Sequence, residues 1–131
     1  MADRLAGRRL LLVLGTATGG VGSHVRGLAA RLADRGAEVT VACPRSTQDV
    51  FGFPRHVPLE VGARPHPVRD ARAVRRLQAL PADVVHAHGL RAGTLAALAG
   101  RRPLVVTWHN AQLSGRLGAL LEALVIGRAH V

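Results

Sequence analysis

Three short stretches of this sequence carry residue types that can do chemistry. The first, Gly15-Thr16-Ala17-Thr18-Gly19-Gly20-Val21-Gly22, holds four glycines in eight residues. Glycine lets the backbone approach a ligand closely. Where such a loop opens a helix, the free N–H groups and the helix dipole favour an anion such as phosphate. A tight turn needs glycine for steric reasons alone, so both readings stand. The spacing is not GxGxxG: Gly20-x-Gly22 runs on into His24 and Val25, where a third glycine should fall.

The second stretch contains His86, His88 and Gly89. On a strand, residues i and i+2 face the same way, so the two histidines can share a face. A metal site would need further ligands, and acidic residues near the same strand ends are missing. The preferred reading has His86 buried and hydrogen-bonded, with His88 at the mouth. The third stretch is His109-Asn110-Ala111. A neutral imidazole there can hydrogen-bond a sugar hydroxyl or shuttle a proton, or it can simply anchor the loop. No Ser-His-Asp or Cys-His arrangement is visible. No carboxylate pair sits nearby, which argues against a glycosidase.

Two sets of arginines add alternatives. Arg45, in Cys43-Pro44-Arg45, stands where a dinucleotide fold often carries an acidic residue for the ribose. It could instead meet a 2′-phosphate, so an NADP-binding oxidoreductase domain is one alternative. Arg69, Arg72, Arg75 and Arg76 lie within one helical stretch. They form either a solvated face or a patch for anionic lipid or a phosphorylated acceptor. A non-enzymatic module that binds anionic surfaces through that helix is a second alternative.

The elements that must position these groups follow from hydrophobic periodicity. Leu10 to Leu14 reads as a buried strand. Val21, Val25, Leu28, Ala29 and Leu32 follow at helical spacing, starting at Gly22 or Ser23 and ending at Gly36. Glu38 to Ala42 is a second strand. From Cys43 to Pro67 the prolines and glycines predict loop, with one short strand near Val57 to Val61. Phe51 and Phe53 plug the sheet edge there, or stack on a ligand. Arg69 to Leu80 is a helix with Ala71, Val74 and Leu77 inward, closed by Pro81. Asp83 to His88, Leu90 to Ala99 and Pro103 to Trp108 read as strand, helix and strand. A last helix spans about Gly115 to Arg128.

Continuous apolar strands separated by helices indicate a parallel sheet covered on both faces, a doubly wound, Rossmann-like α/β fold. Right-handed crossovers place the first strand centrally, with the Asp83 and Pro103 strands on one side. Ligands of such sheets bind beyond the carboxyl ends of the strands, where strand order reverses. The three chemical stretches all fall there. The sequence stops after a helix where a further strand is expected. The expectation is therefore an incomplete domain, the opening part of a two-domain enzyme.

Composition narrows the class. The 131 residues are 48% hydrophobic, enough for one domain with a core. That core must be aliphatic, because Phe51, Phe53 and Trp108 are the only aromatic residues of the Phe, Trp and Tyr set. The formal charge is +10, and all 18 basic residues are Arg. They are scattered, and no aromatics interleave with them to stack bases, which argues against nucleic acid. A lone Cys43 excludes an internal disulfide and fits a reducing, cytoplasmic setting. Arg8-Arg9 before Leu10 to Leu14 imitates a signal peptide, but the apolar run is too short.

At the same residues the chain resembles a known family. Gly19 to Pro44 (GGVGSHVRGLAARLADRGAEVTVACP), Ala82 to Gly89 (ADVVHAHG) and Pro103 to Asn110 (PLVVTWHN) resemble the N-terminal domain of family 4 glycosyltransferases. The resemblance implies a GT-B architecture, two Rossmann-like domains facing a cleft. It implies sugar transfer from a nucleotide-sugar donor to an acceptor with retention, without a metal or other cofactor. The N-terminal domain mainly binds the acceptor. The C-terminal domain holds most of the donor site and an E-x7-E motif, which this chain lacks. By motif match, Gly19, Gly20 and Gly22 would lie against the donor diphosphate or the acceptor. His109 would be the active-site histidine, with Asn110 beside it, and His88 and Gly89 would line the cleft. Lacking the E-x7-E motif and a second domain, these 131 residues alone are expected to be inactive. Contact with the inner face of the membrane is a separate expectation, through the arginine helix.

Overall fold

A computed structural model of the chain describes residues 5–17 and 19–107. The elements in order are β1 (Arg9–Leu14), α1 (Gly20–Asp34), β2 (Glu38–Cys43), α2 (Arg45–Phe51), β3 (His56–Pro58), α3 (Pro67–Ala79), β4 (Val84–His88), α4 (Leu90–Leu98) and β5 (Leu104–Thr107). The expected helix at Gly115 to Arg128, and Trp108, His109 and Asn110, lie outside the described residues.

The strands form one parallel sheet in the order β3-β2-β1-β4-β5. β1 is central, as the apolar run predicted, and Leu11 to Leu14 are each at most 1% exposed. A strand buried on both faces must be apolar at every position rather than at alternate ones. Burying each such leucine contributes about 2 kcal/mol. The chain winds outward from β1 through β2 to β3, then returns to place β4 on the other side of β1. Strand order therefore reverses between β1 and β4.

The two faces carry separate cores. Leu12 and Leu14 of β1 pack with Val39, Val41 and Cys43 of β2, with Val25 and Ala29 of α1, and with Phe51 and Phe53. On the opposite face Leu11 and Val13 pack with Val85, Ala87, Leu104 and Val106, beneath Ala73 and Leu77 of α3 and Leu95 and Ala96 of α4. The alternation along β1 and β4 is the period of two expected of a strand. It puts His86 and His88 on the α1 face, since Val85 and Ala87 take the other.

Local chemistry fixes the ends of the helices. His66 precedes Pro67 at the first position of α3. Its Nδ1 accepts from the Arg69 N–H at 3.0 Å while its own N–H donates to Asp70 Oδ2 at 3.1 Å. At the other end, Arg101 Nη1 donates to the carbonyls of Leu77 at 3.2 Å and Leu80 at 2.8 Å, and Nη2 to Ala82 at 3.2 Å. One guanidinium thereby satisfies carbonyls that the end of α3 leaves without intrahelical partners.

Several expectations need correction. Between Cys43 and Pro67 the chain is mostly loop as expected, but it also contains α2, and its strand lies at His56–Pro58 rather than Val57 to Val61. α2 has seven residues and only two that are fully buried, Thr47 and Phe51, so it shows no helical stripe. The inward residues of α3 are Ala73 and Leu77, with Val74 half-buried and Ala71 exposed. α1 begins at Gly20, earlier than Gly22 or Ser23, and gives way to Gly36 at φ +89°.

Candidate functional site at the carboxyl edge of the sheet

The crevice between β1 and β4 collects the chemistry. His88 pairs in register with Leu14 on one side and Thr107 on the other. The His86 and His88 rings stack, with centroids 4.2 Å apart and planes 26° from parallel. His86 Nε2 lies 2.6 Å from Thr107 Oγ1. From α1, His24 meets His88 edge-on, with centroids 5.8 Å apart. Three imidazoles and a hydroxyl thus share the α1 face at the mouth of the sheet.

The expected roles within the His86–His88 pair are reversed in part. His86 is hydrogen-bonded as expected but only half-buried. His88 is 3% exposed and is the inner member of the pair. The cause is the neighbours: His88 has His86 on one side and His24 above. His24, met in the sequence only as a residue that follows the glycine-rich stretch, therefore belongs to the cluster. Its place, one helical turn into α1, was the available signal. Stacked rings present faces to one another, whereas a metal requires nitrogen lone pairs that converge on one point. Among the described residues no group of three or more His, Cys, Asp or Glu could hold a metal ion.

Gly89 follows directly, at φ +92° and ψ 165°, and its N–H donates to the Thr107 carbonyl at 2.9 Å. A side chain is strained in that backbone conformation, so the turn from β4 into α4 requires glycine.

The glycine-rich loop runs from the carboxyl end of β1 into α1. Side chains added at Gly19 or Gly20 would meet nothing within 4 Å. Those two positions are open, as an approach to a ligand requires. Gly22 is different: a Cβ there would fall about 2.0 Å from Phe51 Cε2. Its lack of a side chain is explained by the packing of α1 on α2. Phe51 and Phe53 are both buried and stack at 6.0 Å, so they fill the core beside the sheet edge.

Thr47, which drew no attention in the sequence, is 1% exposed. Its Oγ1 donates to the Gly15 carbonyl at 3.2 Å and accepts from the Ala17 N–H at 3.2 Å. Thr16 is tied by its N–H, at 3.2 Å, and its hydroxyl, at 3.3 Å, to the Val61 carbonyl. Arg45 is exposed at the start of α2, and its N–H donates to Glu60 Oε1 at 3.4 Å. Burial, aided by the Glu60 charge, pushes the nearby Cys43 thiol up to about 12, which makes it a core residue and not a nucleophile.

The arginine helix divides. Arg69 is half-buried, and Nη2 donates to the Arg64 carbonyl at 2.9 Å. It leaves the expected stripe, while Arg72, Arg75 and Arg76 stay exposed. Asp83 lies at the opposite, amino-terminal edge, where hydrogen bonds from Arg9 hold its carboxyl below the usual range. Among the described residues, no helix is long and apolar enough to cross a membrane.

These features have the order and placement of a Rossmann-like domain, and comparison with known proteins gives that domain a family. No curated protein matches the chain at a significant level. The family model described as a glycosyl transferase 4-like domain matches residues 19–131, which takes in Gly19, Gly20 and Gly22 of the glycine loop, the histidine cluster and every element from α1 onward. The chain belongs to the glycosyl transferase 4-like domain family.

Proposed function

We propose that the chain is the acceptor-side domain of a retaining glycosyltransferase that uses a nucleotide-sugar donor. The observation that carries this reading is the meeting of two open glycines, Gly19 and Gly20, with the His24–His86–His88 cluster at one edge of the sheet. The glycines offer helix N–H groups to a diphosphate. The imidazoles offer hydrogen-bonding nitrogens to sugar hydroxyls without a metal. His109, two residues beyond Thr107, would act beside the transferred sugar, with Asn110 next to it. His88 and Gly89 would line the cleft, and Gly22, in the first turn of α1, would lie near the diphosphate or the acceptor. No further cofactor is required, and a second domain would supply the donor half.

The experiment is to read the coding DNA past Val131, express the complete reading frame and assay transfer from UDP- and GDP-sugars. Transfer is expected from the complete enzyme and not from these 131 residues alone. His109→Ala should cut turnover sharply while the fold persists. Unchanged turnover would remove His109 from the site, and a complete protein that transfers from no donor would overturn the reading. The NADP alternative is weakened by Glu60, whose carboxylate accepts from the Arg45 backbone N–H and so brings a negative charge to the start of α2, where a 2′-phosphate would have to bind.

Contact with an anionic membrane surface belongs to the same proposal, now through Arg72, Arg75 and Arg76. The exposure of all three on α3 supports it. Salt-sensitive co-sedimentation with anionic vesicles, lost on replacing these three arginines by Gln, is the expected result. Binding that survives the replacement would exclude α3 as the contact.

A further inference from the structure

We infer that α2 is the positioning element of the glycine-rich loop, with Thr47 as its positioning residue. The inference rests on the reading of that loop as a diphosphate site. Two contacts from one short helix hold the loop on both sides. Thr47 Oγ1 takes the Ala17 N–H and gives its own hydrogen to the Gly15 carbonyl, which fixes the chain as it leaves β1. One turn later along α2, the Phe51 ring lies against Gly22 so closely that no Cβ fits between them, which fixes the first turn of α1.

The geometry matters because Gly19 and Gly20 make no side-chain contacts of their own. Their N–H groups can be aimed only by the backbone before and after them. The segment before is held by Thr47, and the segment after by Phe51. A buried hydroxyl that donates and accepts at once also uses its single hydrogen, so it has one satisfied orientation. Valine has nearly the same shape and neither bond. A helix that merely filled the core would need the phenylalanine and not the hydroxyl. The loop alone explains why position 47 carries a polar group that is 1% exposed.

The test follows the backbone amides of Gly19, Gly20 and Val21 by NMR while the 131-residue chain is titrated with inorganic pyrophosphate. These amides separate the loop from adventitious binding at the many arginines. Thr47→Val is expected to weaken pyrophosphate at these amides by about tenfold, the loss of two neutral hydrogen bonds passed in part to the site. Thr47→Ser, which keeps the hydroxyl, should stay within about twofold of the parent. Amide exchange at Ala17 should rise in the valine variant and not in the serine variant. Should the valine variant fail to fold, Thr47→Ala carries the same expectation without the added methyl. Undiminished binding by Thr47→Val or Thr47→Ala overturns the positioning role and leaves the diphosphate reading intact. No response of these amides in the parent chain overturns the diphosphate reading, and the inference falls with it.

Discussion

His86 Nε2 and Thr107 Oγ1 lie 2.6 Å apart, joining β4 to β5 on the face that α1 shares. The bond ties down the last residue of β5, from which the chain continues towards His109. Thr107 stands in register beside His88, and its hydroxyl reaches across to His86. Thr107→Val keeps the shape and removes the bond. It is expected to cost about 1 kcal/mol in urea unfolding. A stability equal to that of the parent would show that the bond is replaced by water at no cost.

Arg91 and Asp70 form the most enclosed ion pair among the described residues, with side chains 15% and 16% exposed. Arg91 Nη2 reaches both carboxylate oxygens, at 2.7 and 2.8 Å, and Nε donates to the Gly62 carbonyl at 3.1 Å. It thereby fastens α4 to α3 and to the turn before α3. Removing one partner leaves the other charge partly buried. Arg91→Ala is expected to cost about 3 kcal/mol, measured by chemical unfolding near neutral pH.

The same pair sets an acid dependence. Burial disfavours the Asp70 carboxylate, but the Arg91 hydrogen bonds and the His66 N–H outweigh it and hold the pKa below its usual 3.8. A depressed carboxyl pKa contributes stability above the unfolded value, and that contribution disappears as pH falls through the folded one. The parent should therefore lose stability in acid more steeply than Asp70→Asn. Parallel stability curves below pH 3.8 would refute the assignment.

What could be read from the sequence followed from how strongly burial constrains each element. β1 must be apolar at every position because both its faces are covered, so Leu10 to Leu14 marked the centre of the sheet. Asp83 and Gly36 punctuated their elements as backbone chemistry requires. The placement of His86 and His88 on one face followed from strand alternation alone. α2 was hidden because its reason for being helical is tertiary: Thr47 and Phe51 answer to a loop thirty residues away and to a glycine on another helix. The relative depth of His86 and His88 was equally hidden, since it depends on His24, which approaches from α1. Arg69 looked like its neighbours in sequence, but the turn at Arg64 withdrew it from the exposed stripe.

Cys43 gives a direct check on the packing of β2. Its thiol is buried and its pKa is raised to about 12. Iodoacetamide at pH 8 should leave it unmodified in the folded chain and alkylate it once urea unfolds the chain. A raised acid pKa also lowers stability as pH climbs above the unfolded thiol value, so stability should fall from about pH 9 towards pH 12. Cys43→Ala should flatten that alkaline decline. Rapid alkylation of the native chain would mean that the β2–α1 core opens readily.

Gly20 and Gly22 separate packing from function within three residues. At Gly22 an added methyl group would overlap the Phe51 ring, and that ring is itself buried. Gly22→Ala must push α2 away or turn the ring, at a cost of about 1–3 kcal/mol. At Gly20, the first residue of α1, the methyl group would enter open space. Gly20→Ala should leave stability unchanged or raise it by up to about 1 kcal/mol, because alanine restricts the unfolded chain and favours the helix. Its effect should appear instead in ligand binding, since the methyl group occupies the space through which an anion would reach the α1 N–H groups. Urea midpoints and the pyrophosphate titration of both variants give the comparison. The expected pattern is a Gly22→Ala chain that is less stable and a Gly20→Ala chain that is stable but binds pyrophosphate weakly. A Gly20→Ala chain that binds as the parent does would show that the open side of this loop is not the side a phosphate uses.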